Sequence, residues 1–388
     1  MSNEFAFYSY SFITMKYIKG LDTLRAFAVM FVIMYHWGLP IQDKSVSDFL
    51  REIIPDGRFG VDLFFVLSGF LITAILLDAR SAGRTRLEII RNFMIRRILR
   101  VFPAYYLTLM ILVWIGYPFI QKNLGWFLSY SSNILSFRNK SWNDFSHSWS
   151  LSVEEQFYLI WPWCIVYVGG KYLRYVFTAA LLIGIGTIVY VSKIHVDAWG
   201  LLLTPACMVS FGIGGMYAWL SQQPRGTRVF MRVITLLVPI AVILHFYWVF
   251  SVNGGHFNYL ARLANSLISI WLIHKIITLR PGWLKSKVLE NPVLNKIGQI
   301  SYGLYLFHYN IPSLYQQFIT DHFSGDPATL AFLSGLYAAW VIKLAFLLLL
   351  TFTSFYLFER PIVNLKKRVG YTRRRQPEQV QVTYQYRA

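Results

Sequence analysis

The sequence predicts an all-α fold, a polytopic transmembrane helical bundle of about ten spans with both termini in the cytoplasm. Three observations predict it. Of 388 residues, 56% are apolar and only 14% charged, where a soluble domain carries roughly a quarter charged residues. The mean hydropathy is +0.45. Apolar runs of about 20 residues recur along the whole chain, the length at which a helix crosses a hydrocarbon core of about 30 Å. Together these exclude a disordered chain, a secreted disulfide scaffold and a soluble Rossmann or barrel enzyme. The two cysteines, Cys164 and Cys207, both lie inside apolar runs and imply no disulfide framework.

In chain order the expected spans are about 21–39, 61–78, 101–120, 149–168, 173–192, 199–220, 229–251, 257–279, 297–319 and 330–358. Backbone groups inside lipid need internal partners, so helices are expected, and no segment shows the alternation of a membrane barrel. The net charge of +19 reads as topology. Its excess comes from the loop holding Arg80, Arg84, Arg86, Arg91, Arg96, Arg97 and Arg100, and from the tail after Phe358. With the N-terminus inside, both fall on the cytoplasmic side, a strong positive-inside pattern. No nucleic-acid partner is therefore expected.

Three segments follow. Residues 1–20 precede the first span, lack the pattern of a cleaved signal peptide, and contain Met15 as an alternative start. Residues 21–360 form the membrane domain. Residues 361–388 are basic, then rich in Gln and Tyr, and are expected to be disordered. There is no internal repeat and no Gly-rich phosphate loop.

Ionisable residues inside spans cost several kcal/mol each, which makes them functional candidates. Arg25 and His36 share the first span. Eleven positions at about 100° each return both side chains to one face, about 16 Å apart along the axis. His36 falls in the outer half and Arg25 nearer the cytoplasm. Asp62 opens the second span at a depth similar to His36, while Ser68 and Gly69 further along permit close helix packing. Glu154 and Glu155 stand near the head of the fourth span. They either gain from the helix macrodipole or, with the aromatics beside them, mark a polar pocket. Arg97 and Arg100 lie where the third span begins. They fit either anionic lipid or the phosphates of a large cytosolic donor.

Several of these runs resemble one family. They are Leu24-Arg25 with His36 eleven residues after the arginine, the run from Asp62 to Phe70, and Arg97-x-x-Arg100 with Pro103. Ser148-Trp149-Ser150-Leu151-Ser152-Val153-Glu154-Glu155-Gln156-Phe157-Tyr158 and Ser301-Tyr302-Gly303-Leu304-Tyr305-Leu306-Phe307-His308 follow, and Phe358-Glu359-Arg360-Pro361 closes the set. In this order they are similar to the acyltransferase-3 family over about residues 17–365. The soluble esterase-like domain that some members carry is not expected here. The resemblance implies a bacterial inner-membrane enzyme that moves an acyl group, usually acetyl from acetyl-CoA, to a hydroxyl of a cell-surface carbohydrate. It implies that Arg25 and His36 are the essential pair and that Arg97 and Arg100 form the cytoplasmic basic motif.

The reading that follows is an O-acetyltransferase acting on a lipid-linked or surface glycan such as an O-antigen or exopolysaccharide. His36 is its general base, a task suited to an imidazole. Asp62, Glu154 and Glu155 complete the catalytic set. Arg25, Arg97 and Arg100 hold acetyl-CoA, a co-substrate, and no metal is expected. Direct transfer is preferred, with an acyl-His36 intermediate left open. Expected partners are acyl-CoA, a carbohydrate acceptor and membrane lipid, with a homo-oligomer left open. In the through-membrane scheme, acetyl-CoA enters from the cytoplasm and its thioester reaches up to His36, where Asp62 or Glu154 orients the imidazole. The competing class is a flippase or transporter of a lipid-linked carbohydrate, which commonly shows repeat symmetry absent here. A non-catalytic receptor would not need Arg25 and His36 on one face.

Overall fold

The computed structural model describes residues 18–53, 56–193, 198–251 and 260–365. The expectations for the first 17 residues and for most of the tail lie outside the described residues. Every regular element among the described residues is helical.

The chain opens with α1 (Lys19–Trp37), α2 (Lys44–Ile53), α3 (Gly57–Ser81) and α4 (Arg86–Ile115). Three short helices, α5 (Pro118–Lys122), α6 (Leu124–Leu128) and α7 (Ser132–Asn139), lead to α8 (Ser148–Tyr167). There follow α9 (Leu173–Lys193), α10 (Thr204–Leu220), α11 (Pro224–Ser251) and α12 (Ala261–Thr278). The last part comprises α13 (Pro292–Gln299), α14 (Ser301–Phe307), α15 (Ile311–Phe323), α16 (Pro327–Ser334), α17 (Leu336–Thr353) and α18 (Arg360–Asn364). The segment expected to be disordered from residue 361 thus begins as helix.

Five helical segments among the described residues are long and apolar enough to cross a membrane: Gly57–Ser81, Arg86–Ile115, Gly170–Lys193, Arg225–Phe246 and Leu336–Asn364. Other expected spans form helices with weaker credentials. α1 carries Lys19, Asp22 and Arg25, and α10 has only 17 residues. The ninth expected span, 297–319, is not one helix. It breaks at Ile300 and again after Phe307, giving α13, α14 and α15. Pro312 in the first turn of α15 lacks an N–H, so a helix can restart there but not run through. The third span also differs: its basic approach is continuous helix from Arg86, and it ends at Gly116 rather than residue 120. Gly116 has φ +99°, a left-handed cap that a residue with a Cβ rarely adopts.

Helix α3 is the hub. The Asp56 carboxylate caps its start by accepting from the Phe59 N–H at 2.9 Å. Its small residues admit α10 at close range. A Cβ on Gly69 would lie 2.2 Å from Phe211 O, and one on Gly214 would lie 2.2 Å from Val66 O. Two apolar cores flank this contact. One gathers Phe65, Tyr105, Phe157 and Phe211 beside α4 and α8. The other gathers Leu63, Val66, Ile213 and Ile273 beside α1, α10 and α12. At the far end of α3, Arg80 Nη1 donates to Val168 O at 3.0 Å and also to Ile165 O, satisfying the terminal carbonyls of α8. These ties fix α1, α3, α4 and α8 around one cleft.

Candidate active site

The last turn of α1 delivers His36 to a cluster of imidazoles. His308, just past the end of α14, places its ring 5.0 Å from that of His36, and His147, at the head of α8, lies 5.2 Å from His308. Their hydrogen bonds assign the ring protons. Val32 O can only accept, so His36 Nδ1–H donates to it at 2.9 Å. Tyr305 O can only accept, so His308 Nδ1–H donates to it at 2.6 Å. The lone pair of neutral His308 Nε2 then faces His36 Nδ1–H at 3.2 Å. Neutral His36 is left with an unprotonated Nε2 on an exposed ring. That is the arrangement a general base requires. Trp37 Nε1–H donates to His308 O at 2.9 Å and ties the two segments together. His147 donates from Nε2–H to Leu306 O at 3.0 Å, and its buried Nδ1 has no partner among the described residues.

Below this cluster lies a cleft with about 800 Å³ of empty space, its mouth included. Arg25, Arg97 and Arg100 line it together with Glu154 and Glu155. Arg25 pairs with Asp22 through Nη1 and Oδ1 at 2.7 Å. The Arg97 guanidinium stacks 4.8 Å over the Tyr158 ring and 5.5 Å over that of Phe93. Ser68 Oγ donates to Glu154 Oε1 at 2.9 Å and stands 3.1 Å from Tyr158 Oη. The three arginines expected to act together therefore line one cleft.

Three expectations need correction. Glu154 and Glu155 do not join His36. His147 at the start of α8 marks the depth of the imidazoles, and Glu154 follows seven residues later, about 10 Å further by helix rise. The carboxylates belong to the arginine cleft instead. Asp62 does not orient His36 either. It is 3% exposed, accepts from Arg262 Nε at 3.0 Å, and accepts from Asn265 Nδ2 at 3.0 Å. Arg262 Nη1 also donates to Leu201 O and Cys207 Sγ, both at 2.7 Å. This network ties α3 to α10 and α12 and satisfies a buried carboxylate with a largely buried guanidinium. Ser68, read as a packing residue, holds Glu154.

Two parts of the cleft connect it to the imidazoles. Tyr305 and Ser150 both line the cleft, and their hydroxyl oxygens are 2.5 Å apart. The Tyr305 ring lies 5.5 Å from that of His308 and 5.7 Å from that of His147. A long, thin ligand with its anionic end among the arginines would point its other end at the imidazole cluster. His147 and His308 were not singled out as site residues from sequence. His308 closes the Ser301–His308 motif, which was a usable signal. His147 carried none, because nothing in the sequence says that the segment before α8 meets α14. Among the described residues, no group of His, Cys, Asp and Glu is arranged to hold a metal ion.

A family model described as an acyltransferase domain matches residues 18–360. A Staphylococcus aureus (strain COL) protein provisionally named an O-acetyltransferase is 27% identical over 343 residues, covering 79% of this chain and 52% of that protein. The peptidoglycan O-acetyltransferase OatA of Listeria monocytogenes is 31% identical over 333 residues, covering 77% of this chain and 50% of that protein. The chain spans about half the length of these curated relatives. No solved structure matches it.

Proposed function

Because the chain belongs to the acyltransferase-3 family, we propose that it is an O-acetyltransferase that moves acetyl from acetyl-CoA to a hydroxyl of a cell-surface glycan. It works in a bacterial inner membrane, with the basic end of the cleft toward the cytoplasm. The relatives carry O-acetyltransferase names, one of them for peptidoglycan, and a glycan hydroxyl is the acceptor this reading takes from them.

One observation carries the reading: a single cleft has Arg25, Arg97 and Arg100 at one end and Tyr305, packed on His308, at the other. Guanidinium groups suit the phosphates of CoA, with Arg97 prevented from swinging by its aromatic supports. The pantetheine arm extends past Phe64, Ser150 and Tyr305 toward the imidazoles. His36 Nε2 takes the proton of the acceptor hydroxyl as the oxygen attacks the thioester carbonyl, and CoA leaves as the thiolate. The resulting imidazolium keeps its Nδ1–H directed at Val32 O and at the lone pair of His308. This arrangement replaces the carboxylate partner expected from sequence.

The test is acetyl transfer by the purified full chain in lipid nanodiscs, with radiolabelled acetyl-CoA and a glycan acceptor. Label should appear on the glycan, and His36→Ala should stop it. Label remaining on CoA in the presence of acceptors of every charge class would overturn the reading.

A further inference from the structure

The positive-inside pattern makes basic residues scarce on the outer face, yet the segment between α4 and α8 concentrates Lys122, Arg138 and Lys140. Two of them converge. Lys122 from α5 and Arg138 from α7 line a second cavity, with about 640 Å³ of empty space, its mouth included. Asn123, Asn139, Trp126 and Phe119 complete its polar and aromatic lining. Lys122 and Arg138 are exposed, and neither has an acidic partner among the described residues. The aromatics are half-buried.

This is a combination with a chemical meaning. Trp126 offers a flat apolar face to the ring of a sugar, and its indole N–H has no acceptor among the described residues. Asn123 Nδ2 already donates to Phe119 O at 2.9 Å, which leaves its side-chain oxygen to accept from a hydroxyl, while the exposed Asn139 amide can both donate and accept. The two cations can pair with a phosphate or carboxylate carried on the same molecule. A lipid headgroup would use the cations, and a tryptophan beside them suits lipid too; the exposed Asn139 amide and the Asn123 side-chain oxygen are the groups it would leave without a role.

The cavity also stands behind the imidazole cluster. Trp126 is followed by Phe127, whose ring lies 5.8 Å from that of Phe145. Phe145 lies 4.9 Å from His147, which lies 5.2 Å from His308. Phe127, Phe145 and His147 are buried, so a glycan seated in the cavity would have to pass round this wall and would present a sugar several residues further along to His36.

We propose that the cavity of Lys122, Arg138 and Trp126 is an outer-face subsite for an acidic glycan, one whose repeat carries a carboxylate or phosphate. This rests on the acyl-transfer reading and narrows its acceptor to a charge class. The test uses the full chain in zwitterionic nanodiscs and two probes, the trisaccharide of galacturonic acid and neutral maltotriose. The acidic trisaccharide should bind about tenfold more tightly than maltotriose, and Lys122→Gln or Arg138→Gln should remove most of that preference. Trp126→Ala should weaken both probes. Equal affinity for the two sugars, or a preference untouched in both glutamine variants, overturns the subsite. So does a variant whose only change is loss of co-purifying phosphatidylglycerol, which would assign the cations to lipid. Acetyl-CoA binding, measured in the same variants, should not change. Loss of acetyl-CoA binding in the wild type would instead sink the acyl-transfer reading and leave the sugar measurements standing.

Discussion

His308 Nε2 stands 3.2 Å from His36 Nδ1, joining the last turn of the first helix to a break in the chain 272 residues later. The contact decides which nitrogen of His36 is available. With Nδ1–H committed to Val32 O and directed at His308, only Nε2 is left to receive a proton.

His36→Ala should therefore abolish acetyl transfer while the protein still inserts and folds. General-base catalysis contributes typically about 10²–10⁴ in rate. The ring is exposed, so its removal leaves no buried cavity. Single-turnover transfer from labelled acetyl-CoA checks this, with thermal unfolding in detergent as the control. Near-wild-type transfer would remove His36 from the mechanism.

His308 acts through His36, as a positioning residue. Replacing it by phenylalanine keeps the bulk and removes the acceptor facing His36 Nδ1–H. The expected loss is about tenfold in kcat, the worth of one hydrogen bond, with KM for acetyl-CoA unchanged. His308→Gln can return an acceptor oxygen and should recover part of kcat. If both variants lost stability equally and glutamine rescued nothing, His308 would be a packing residue.

Much of this site was legible in the sequence. Arg25 and His36 lie on one helix, so counting residues at 100° each was enough to place them as a pair; Arg25 lines the cleft and His36 joins the imidazoles beyond it. Arg97 and Arg100 lie on one helix three residues apart, and both line the cleft. What periodicity could not give was contact between helices. The partners of Asp62 are Arg262 and Asn265, two hundred residues away, and two charges in separate apolar runs do not announce that they belong to each other. Equal depth in the membrane was a poor guide to proximity for the same reason. The break at His308 was hidden inside an apolar run whose composition suits a single span.

The Asp62–Arg262 pair yields a prediction opposite to the one its sequence context suggested. Asp62→Ala leaves a buried guanidinium without its carboxylate and should cost about 3–5 kcal/mol of stability. Activity should fall only as the folded fraction falls. The double variant Asp62→Leu with Arg262→Met removes both charges and should recover much of the loss. Thermal unfolding together with turnover per folded molecule checks this. Full stability in Asp62→Ala with no turnover would return Asp62 to the catalytic centre.

The arginine cleft supplies the last prediction. Arg97 and Arg100 line the cleft with Arg25, and Glu154 in the same cleft is held by Ser68. If this is where the CoA phosphates rest, Arg97→Ala or Arg100→Ala removes charge-assisted hydrogen bonds of about 1.5–3 kcal/mol each. The apparent KM for acetyl-CoA should rise by about tenfold or more while kcat changes little, since the phosphates are remote from the reacting carbon. Arg97→Lys should not restore the wild-type value. A lysine keeps the charge but loses the planar guanidinium that Tyr158 and Phe93 support. Raising the salt concentration should raise KM more for the wild type than for either alanine variant. A basic wall that serves only anionic lipid gives a different pattern: KM stays constant, and the alanine variants lose bound lipid or thermal stability instead.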